Sequence, residues 1–383
     1  MRIAQIAPVS TTIPPPKSGS VELMTSLLTE GLVERGHDVT LFATGDSNTK
    51  AELHAAFPHG YWHDEEMYPW EFYEMVNLSA ACERAEDFDI IHYQAAYYPM
   101  SLAFTRLVKT PFVQTVHLQP DESQLNLWKH YAEANFVAIS NCQRDAMRGL
   151  NVVGTVYHGI ETDAFTFRAK PDDYLLFFGR FMPEKGVLEA IEVAKRLGIK
   201  LLMAAPDDPY YYEAIKPHVD GKFIKYVGEV DHAGRNELLG GALAMLYPVQ
   251  VSEPFGLVLV EAMACGTPVL ALDKGAVSEI VVNSVNGFRV QTLGEMVEIF
   301  PEVLKLDRAA IRAFAVERFD TRRMVDNYIK IYEQIINQNR RDSGRVELYE
   351  ATDKQKTFGD FRAPGRRIDY DGRHDGALCP KRD

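Results

Sequence analysis

Cysteine is scarce and scattered. The 383-residue chain has four, Cys82, Cys142, Cys265 and Cys379, with no CxxC spacing. That excludes a disulfide-framed scaffold and a cysteine zinc site, and it points to reduced thiols. Positive charge is also in deficit: 41 Lys and Arg against 54 Asp and Glu leave a formal net charge of −13. No long Lys/Arg stripe breaks that balance, so a nucleic-acid surface is not expected. No apolar run reaches the ~20 residues needed to span a bilayer, and stable membrane insertion is not expected. The opening residues, MRIAQIAPV, read directly as a strand, without the charged-then-apolar run of a signal peptide. A cytoplasmic location is therefore expected. Neither the GxGxxG dinucleotide fingerprint nor a P-loop GK[ST] occurs, which counts against dehydrogenase and ATPase chemistry.

What the chain does have is alternation. Short apolar runs at Ile3–Ala7, Val39–Ala43, Ile90–Tyr93, Phe112–His117 and Phe136–Ser140 are separated by helix-length segments. Between the first two, Val21, Met24, Leu27, Leu28 and Leu32 follow a helical period, and Gly36 stops the helix. The second half repeats the pattern at Tyr174–Phe178, Leu201–Ala205, Phe223–Val227, Ala244–Pro248 and Val269–Leu272. Strand–helix–strand alternation of this kind implies parallel sheets covered on both faces. The expected fold class is therefore α/β, with two Rossmann-like domains facing across a cleft. Residues 1–165 form the first and 166–320 the second, the patterning being interrupted near Asp163–Asp172. A helix over 321–338 follows, and the charged, glycine-rich stretch 339–383 is expected to be a disordered tail.

The densest signal is SEPFGLVLVEAMACGTPVL, residues 252–270. Glu253 precedes a glycine-containing turn (Pro254, Phe255, Gly256) and Glu261 lies within the helix that Leu257 begins. At ~1.5 Å rise per residue the two carboxylates stand on the order of 10 Å apart. A helix N-terminus offers free N–H groups and a positive dipole end to an anion. Such an arrangement suits a diphosphate carrying a sugar at one end and a ribose at the other. Phe178-Gly179-Arg180 and Pro183-Glu184-Lys185-Gly186 place two cations where a parallel strand ends. That is where such folds bind ligands, and cations near a helix start oppose its dipole. Arg180 and Lys185 can clamp a diphosphate and stabilise charge growing on it.

In the first half, the loop Pro14–Gly19 is stiffened by three prolines, while Gly19 permits backbone approach to a ligand. Glu22 then either favours its helix N-terminus or faces a substrate. His117 ends a strand; it is either a buried structural histidine or a group that orients a sugar hydroxyl. Gln119 and Ser140, beside the ends of two first-half strands, join Glu22 and His117 as acceptor-side candidates. Metal sites are poorly supported. His54, His59, His63 and Asp64 lack helical ligand spacing, and Asp87-Phe88-Asp89 reads better as a turn than as a cation holder.

Taken together, these residues resemble the retaining glycosyltransferases of family 4, which have the two-Rossmann GT-B fold. The resemblance runs from Met1 to about Gln338. It is strongest over Glu253–Pro268, with support from Gly179-Arg180…Glu184-Lys185-Gly186, Gly228-Glu229-Val230 and Gly275…Glu279. It implies that Glu253 binds donor-sugar hydroxyls, Glu261 the ribose, and Arg180 and Lys185 the diphosphate. Gly19, Phe255, Gly256 and Leu257 would border the donor, Val230 would meet the base, and His117 would lie beside the transferred sugar. A front-face transfer needing no metal or other cofactor follows, with Glu253, His117, Arg180 and Lys185 as the catalytic set. The 322–338 helix would cross back to the first domain. Two departures stand out: Gly19-Ser20 replaces a glycine pair, and Leu118 replaces a carboxylate.

The partners implied are a nucleotide-sugar donor and a small-molecule or saccharide acceptor. UDP-glucose is taken as donor because it is common in the family, and no residue pattern specifies an oligomeric state. The stretch Tyr61–Met75 carries Asp64, Glu65, Glu66, Glu71 and Glu74, which an anionic membrane would repel, so a soluble acceptor is expected. Two rival readings are a nucleotide-sugar 2-epimerase on a similar scaffold and a non-catalytic nucleotide-sugar-binding protein.

Overall fold

The computed structural model describes residues 1–353 except Ser18 and Tyr97. Residues Met1–Gln338 form one compact unit, built on two wholly parallel sheets. The first sheet takes β1 (Arg2–Ile6), β2 (Asp38–Phe42), β3 (Glu52–His54), β4 (Ile90–Ala95), β5 (Phe112–Val116), β6 (Asn135–Ala138) and β7 (Val152–Thr155), in the order β3-β2-β1-β4-β5-β6-β7. The second takes β8 (Leu175–Phe178), β9 (Leu201–Ala204), β10 (Ile224–Gly228), β11 (Ala244–Tyr247), β12 (Val269–Leu272) and β13 (Gly287–Val290), in the order β10-β9-β8-β11-β12-β13. The strand order reverses between β1 and β4, and again between β8 and β11. In an open parallel sheet a crevice forms at such a reversal, beyond the carboxyl ends of the strands.

All ten strands expected from apolar runs are present. The three not expected, β3, β7 and β13, lie at sheet edges. An edge strand is covered less, so it need not carry a continuous apolar run, although the edge strand β10 was legible from one. Glu52 is exposed, β7 contains Gly154, and Arg289 is half-buried in β13. Central strands such as Val269–Leu272, by contrast, are buried throughout.

Helices cover both faces of each sheet. Against the first, Met24, Leu28 and Leu32 of the helix Ser20–Glu34 pack with Val325, Tyr328 and Tyr332 of the final helix, Thr321–Asp353. That final helix, expected to cross back to the first domain, lies on the first sheet. It runs past the expected end at Gln338, and residues 354–383 of the expected tail lie outside the described residues. Leu78 and Ala81 of the helix Trp70–Glu83 pack on the opposite face. Around the second sheet, Val187, Ala190 and Ala194 of Val187–Leu197 form one core. Leu259, Val260 and Met263 of Leu257–Ala264 form the other, with Ile311 and Phe319 of Arg308–Phe319. The chain passes between lobes twice, side by side: Ile160 N–H donates to the Phe319 carbonyl at 2.9 Å, and Thr321 N–H donates to that of Ile160 at 2.9 Å.

Candidate functional site

A cavity of about 390 Å³ opens where the two sheets' strand ends face each other. The second lobe supplies Arg180 and Lys185 from beyond β8, and Glu253, Gly256 and Leu257 from beyond β11. These are the two strands flanking the order reversal, so residues some seventy positions apart converge there. The first lobe contributes Ser20, His117, Leu118 and Gln119.

Glu253 is held from several sides. Its carboxylate accepts a hydrogen bond from Lys185 Nζ at 2.6 Å, and both side chains are largely buried. Burial, then the charge of nearby Glu253, pushes the Tyr247 phenol well above its ordinary value. The Glu253 carbonyl accepts from Ala276 N–H at 2.8 Å. Gly275 (φ +58°) fits beneath this turn only because it lacks a side chain: a Cβ there would stand 2.4 Å from the Glu253 nitrogen and oxygen. Arg180 is exposed and forms no ion pair among the described residues. Gly256 caps the helix Leu257–Ala264 without a side-chain bond, leaving the first-turn N–H groups and the positive dipole end toward the cavity.

Glu261, one turn further along that helix, is buried. Its Oε1 accepts from Arg235 Nη1 at 3.1 Å. Burial raises the carboxyl's pKa, and Arg235 and His232 oppose that rise. The sequence offered no sign of this partner, because Arg235 lies in a different helix, His232–Gly241. Glu261, Gly19, Phe255 and Val230 are not among the residues that line the cavity. The Phe255 ring is turned into the second-lobe core, against His158 and Phe319, because a ring of that size finds its apolar surroundings there. Val230 follows the end of β10, at the sheet's edge.

His117 stacks on His158 with ring centroids 5.2 Å apart. Its Nε2–H donates to Gln94 Oε1 at 2.9 Å; the Gln94 amide nitrogen in turn donates to Gln5 Oε1 at 3.3 Å, which sets the direction of the chain. Burial lowers the His117 pKa to about 3, so the ring is neutral at pH 7 and leaves Nδ1 as an acceptor. Gln119 lines the cavity with Oε1 buried and unpartnered among the described residues. Such an acceptor awaits a donor.

The other acceptor-side candidates sit behind the wall. Glu22 is buried and accepts a short hydrogen bond from the Ser10 hydroxyl. Gly19 (φ +145°) covers it, since a Cβ would stand 2.9 Å from Glu22 Oε2. The residue that reaches the cavity is the next one, Ser20. Ser140 is fully buried and caps the helix Asn141–Ala146, its hydroxyl accepting from Gln143 N–H at 3.1 Å. Its polar atom is thereby committed to the backbone. Asp89 pairs with Arg2 and Asp87 with Arg84, which fits their reading as turn residues. Among the described residues no three His, Cys, Asp or Glu side chains are grouped to hold a metal ion.

Missed from sequence altogether is the way Glu279 joins the lobes. Its carboxylate accepts from Asn141 N–H at 2.8 Å, Cys142 N–H at 2.7 Å and the Tyr157 hydroxyl at 2.7 Å. A second-lobe acid thus serves a first-lobe helix start. A surface ion pair, Lys17 Nζ to Glu229 Oε2 at 2.9 Å, spans the lobes elsewhere.

Comparison with known proteins agrees with this geometry. The family profile described as Glycosyltransferase Family 4 matches residues 21–164, and that described as Glycosyl transferases group 1 matches residues 160–306. A phosphatidyl-myo-inositol mannosyltransferase of Mycobacterium tuberculosis (strain CDC 1551 / Oshkosh) is 26% identical over 385 residues, spanning 88% of this chain and 97% of that one. Among solved structures, AviGT4, a glycosyltransferase involved in avilamycin A biosynthesis, superposes with a TM-score of 0.65 at 22% identity, over 88% of this chain and 98% of that one. Anabaena Alr3699/HepE in complex with UDP-glucose gives 0.64 at 18% identity, over 88% and 99%. No described helix is long and apolar enough to cross a membrane. With two parallel-sheet lobes, a cleft at their strand reversals and both halves matched, the chain belongs to the family 4-like glycosyltransferases of GT-B fold.

Proposed function

We propose that the protein is a retaining hexosyltransferase that moves a hexose from a nucleoside diphosphate sugar, UDP-glucose in the first instance, to a hydroxyl of a soluble acceptor. The observation that carries this reading is the convergence of Arg180, Lys185, Glu253 and a helix N-terminus on one wall, opposite His117 and Gln119. Arg180, the first-turn N–H groups and Lys185 would take the diphosphate, whose charge rises as the bond to the sugar breaks. Glu253 would accept sugar hydroxyls, with Lys185 exchanged from carboxylate to phosphate. Neutral His117 would accept a hydrogen bond from a sugar hydroxyl at Nδ1, the proton staying on the hydroxyl, without competing for the diphosphate as a cation. The acceptor oxygen bonds to the anomeric carbon on the face the nucleotide leaves, the carbon–phosphate-oxygen bond breaks, and the departing phosphate takes the acceptor's proton. Two cations supply the charge that a metal supplies elsewhere, so turnover is expected to persist in EDTA.

The described relatives extend the reading unevenly. One acts on a phosphatidylinositol, and one binds UDP-glucose. Near the acceptor lobe, Glu65, Glu66 and Glu71 are exposed beside Tyr68 and Phe72. Carboxylates at that density oppose an anionic bilayer, which favours a soluble acceptor. The test is a thermal-shift panel of UDP, GDP and ADP and their sugars, followed by mass detection of products. Arg180→Ala and Glu253→Ala are expected to lower turnover by about 10²–10³-fold while melting like wild type. Near-normal rates would sink the assignment. Conversion of the sugar nucleotide without any acceptor would indicate the epimerase, and binding without turnover a silent sensor.

A further inference from the structure

A parallel sheet covered on both faces is expected to be apolar throughout, yet one face at the centre of the first sheet is polar. Gln5 of β1, His92 and Gln94 of β4 and Thr115 of β5 are all buried. In the strand register Gln5 stands opposite His92, and Gln94 opposite Thr115. The final helix covers them with Tyr328 and Tyr332, whose rings lie 5.1 and 5.6 Å from that of His92. Buried polar groups are costly unless paired, and these are paired in one continuous chain. The Tyr332 hydroxyl accepts from Gln5 Nε2 at 2.8 Å, which leaves its single proton for His92 Nδ1 at 2.6 Å. With Nδ1 an acceptor, His92 Nε2–H donates to the Thr115 hydroxyl at 2.8 Å, and that hydroxyl meets the Tyr328 hydroxyl at 2.9 Å. The Gln5 amide so oriented turns Oε1 to Gln94 Nε2, and Gln94 turns its own Oε1 to His117 Nε2–H at 2.9 Å. There the chain reaches the cavity, which His117 lines, and His117 Nδ1 makes no hydrogen bond among the described residues.

We propose that Gln94 is a positioning residue for the transfer reaction, holding His117 in the tautomer that presents Nδ1 to the substrate, and that Tyr332 of the final helix orients Gln94 through Gln5 and His92. Each amide and each neutral imidazole carries one donor end and one acceptor end. The chain can therefore run in the opposite sense only if both amides and both tautomers reverse together. His117 would then offer the cavity an N–H in place of a lone pair, and a sugar hydroxyl would lose its acceptor. The final helix follows the whole second lobe in sequence, so the first-lobe wall of the cavity is set by the last element of the fold. This inference rests on the glycosyl-transfer reading above.

The experiment is long-range ¹H–¹⁵N correlation spectroscopy of the full chain labelled at histidine, with the His117 signals assigned by their loss in His117→Asn. Initial rates and UDP calorimetry are measured on the same proteins. Wild type is expected to carry the His117 proton at Nε2, with Nδ1 a bare acceptor. Gln94→Met keeps the length of the side chain and removes both of its hydrogen bonds. It is expected to shift the His117 nitrogens and lower kcat about tenfold, the size of one hydrogen bond, with UDP affinity within about twofold of wild type. Tyr332→Phe keeps the ring and removes a hydroxyl that does not line the cavity. It is expected to move or double the same His117 signals and lower kcat about threefold, and it decides the matter if Gln94→Met does not fold. A wild-type His117 protonated at Nδ1 overturns the inference, as do variants with wild-type His117 signals or wild-type kcat. A wild type that transfers no sugar overturns the underlying reading instead, and the spectra still judge the hydrogen-bond chain.

Discussion

Replacing Gly275 by alanine separates the positioning of Glu253 from the chemistry of its side chain. No functional group is removed; one methyl group is added at φ +58°, 2.4 Å from the Glu253 backbone nitrogen and oxygen and 2.9 Å from the Ser252 carbonyl carbon. Those atoms are backbone, so no rotamer change can relieve the contact. A non-glycine residue held in the left-handed region costs about 1–2 kcal/mol. Forcing a methyl into an occupied space costs about 1–3 kcal/mol more. A loss of about 2–5 kcal/mol corresponds to roughly 5–15 °C in melting temperature for a lobe of this size. The turn bearing Glu253 must shift by most of an ångström, and a displacement of that size at a positioned group costs on the order of 10²-fold in rate. Arg180 and the first turn of Leu257–Ala264 stay in place, so nucleotide affinity changes far less than kcat. The assay pairs thermal melting with initial rates and UDP calorimetry on one preparation. A variant melting within about 2 °C of wild type and turning over within about twofold would refute the claim that this contact sets the Glu253 geometry.

The lobe-joining role of Glu279 predicts that Glu279→Ala, which strands two N–H groups and a hydroxyl at about 1–3 kcal/mol each when buried, raises donor hydrolysis relative to transfer. An unchanged ratio would remove Glu279 from cleft alignment. Ser140→Ala should cost about 1 kcal/mol in urea titration, the value of a helix cap, and leave kcat unchanged; a large loss of rate would restore Ser140 to the acceptor site. Stability should fall in mild acid. Burial lowers the pKa of both His92 and His117 from 6.5 to about 3, so below 6.5 the unfolded chain binds protons that the folded one refuses. At about pH 5 each residue withdraws on the order of 2 kcal/mol of stability relative to pH 7. Urea midpoints that do not move between those pH values would show that the two rings are not buried as neutral groups.

The sheets were legible because parallel strands buried on both faces must be apolar along their whole length; Leu201–Ala204 and Val269–Leu272 could hardly be read otherwise. Edge strands β3, β7 and β13 escaped because partial exposure relaxes that demand. Within the site, Arg180, Lys185 and Glu253 were legible from their places at strand ends and beside a helix start. Gly256 and Leu257 were too, since a helix beginning on glycine after a buried strand has few places to point. Ser140 misled for a local reason: the residue after a strand is also the residue before a helix, and there the hydroxyl went to the cap.

The alternation of apolar runs therefore determined the two-lobed parallel architecture, and the signature at 252–270 determined much of the second-lobe wall of the cavity. Only the tertiary structure decided the pairings: Arg235 with Glu261, Glu279 with the helix start at Asn141, Gly275 beneath Glu253, His117 neutral over His158. Periodicity records which face of an element is buried. It does not record which distant element covers that face, and hydrogen bonds and burial-driven pKa shifts depend on the covering.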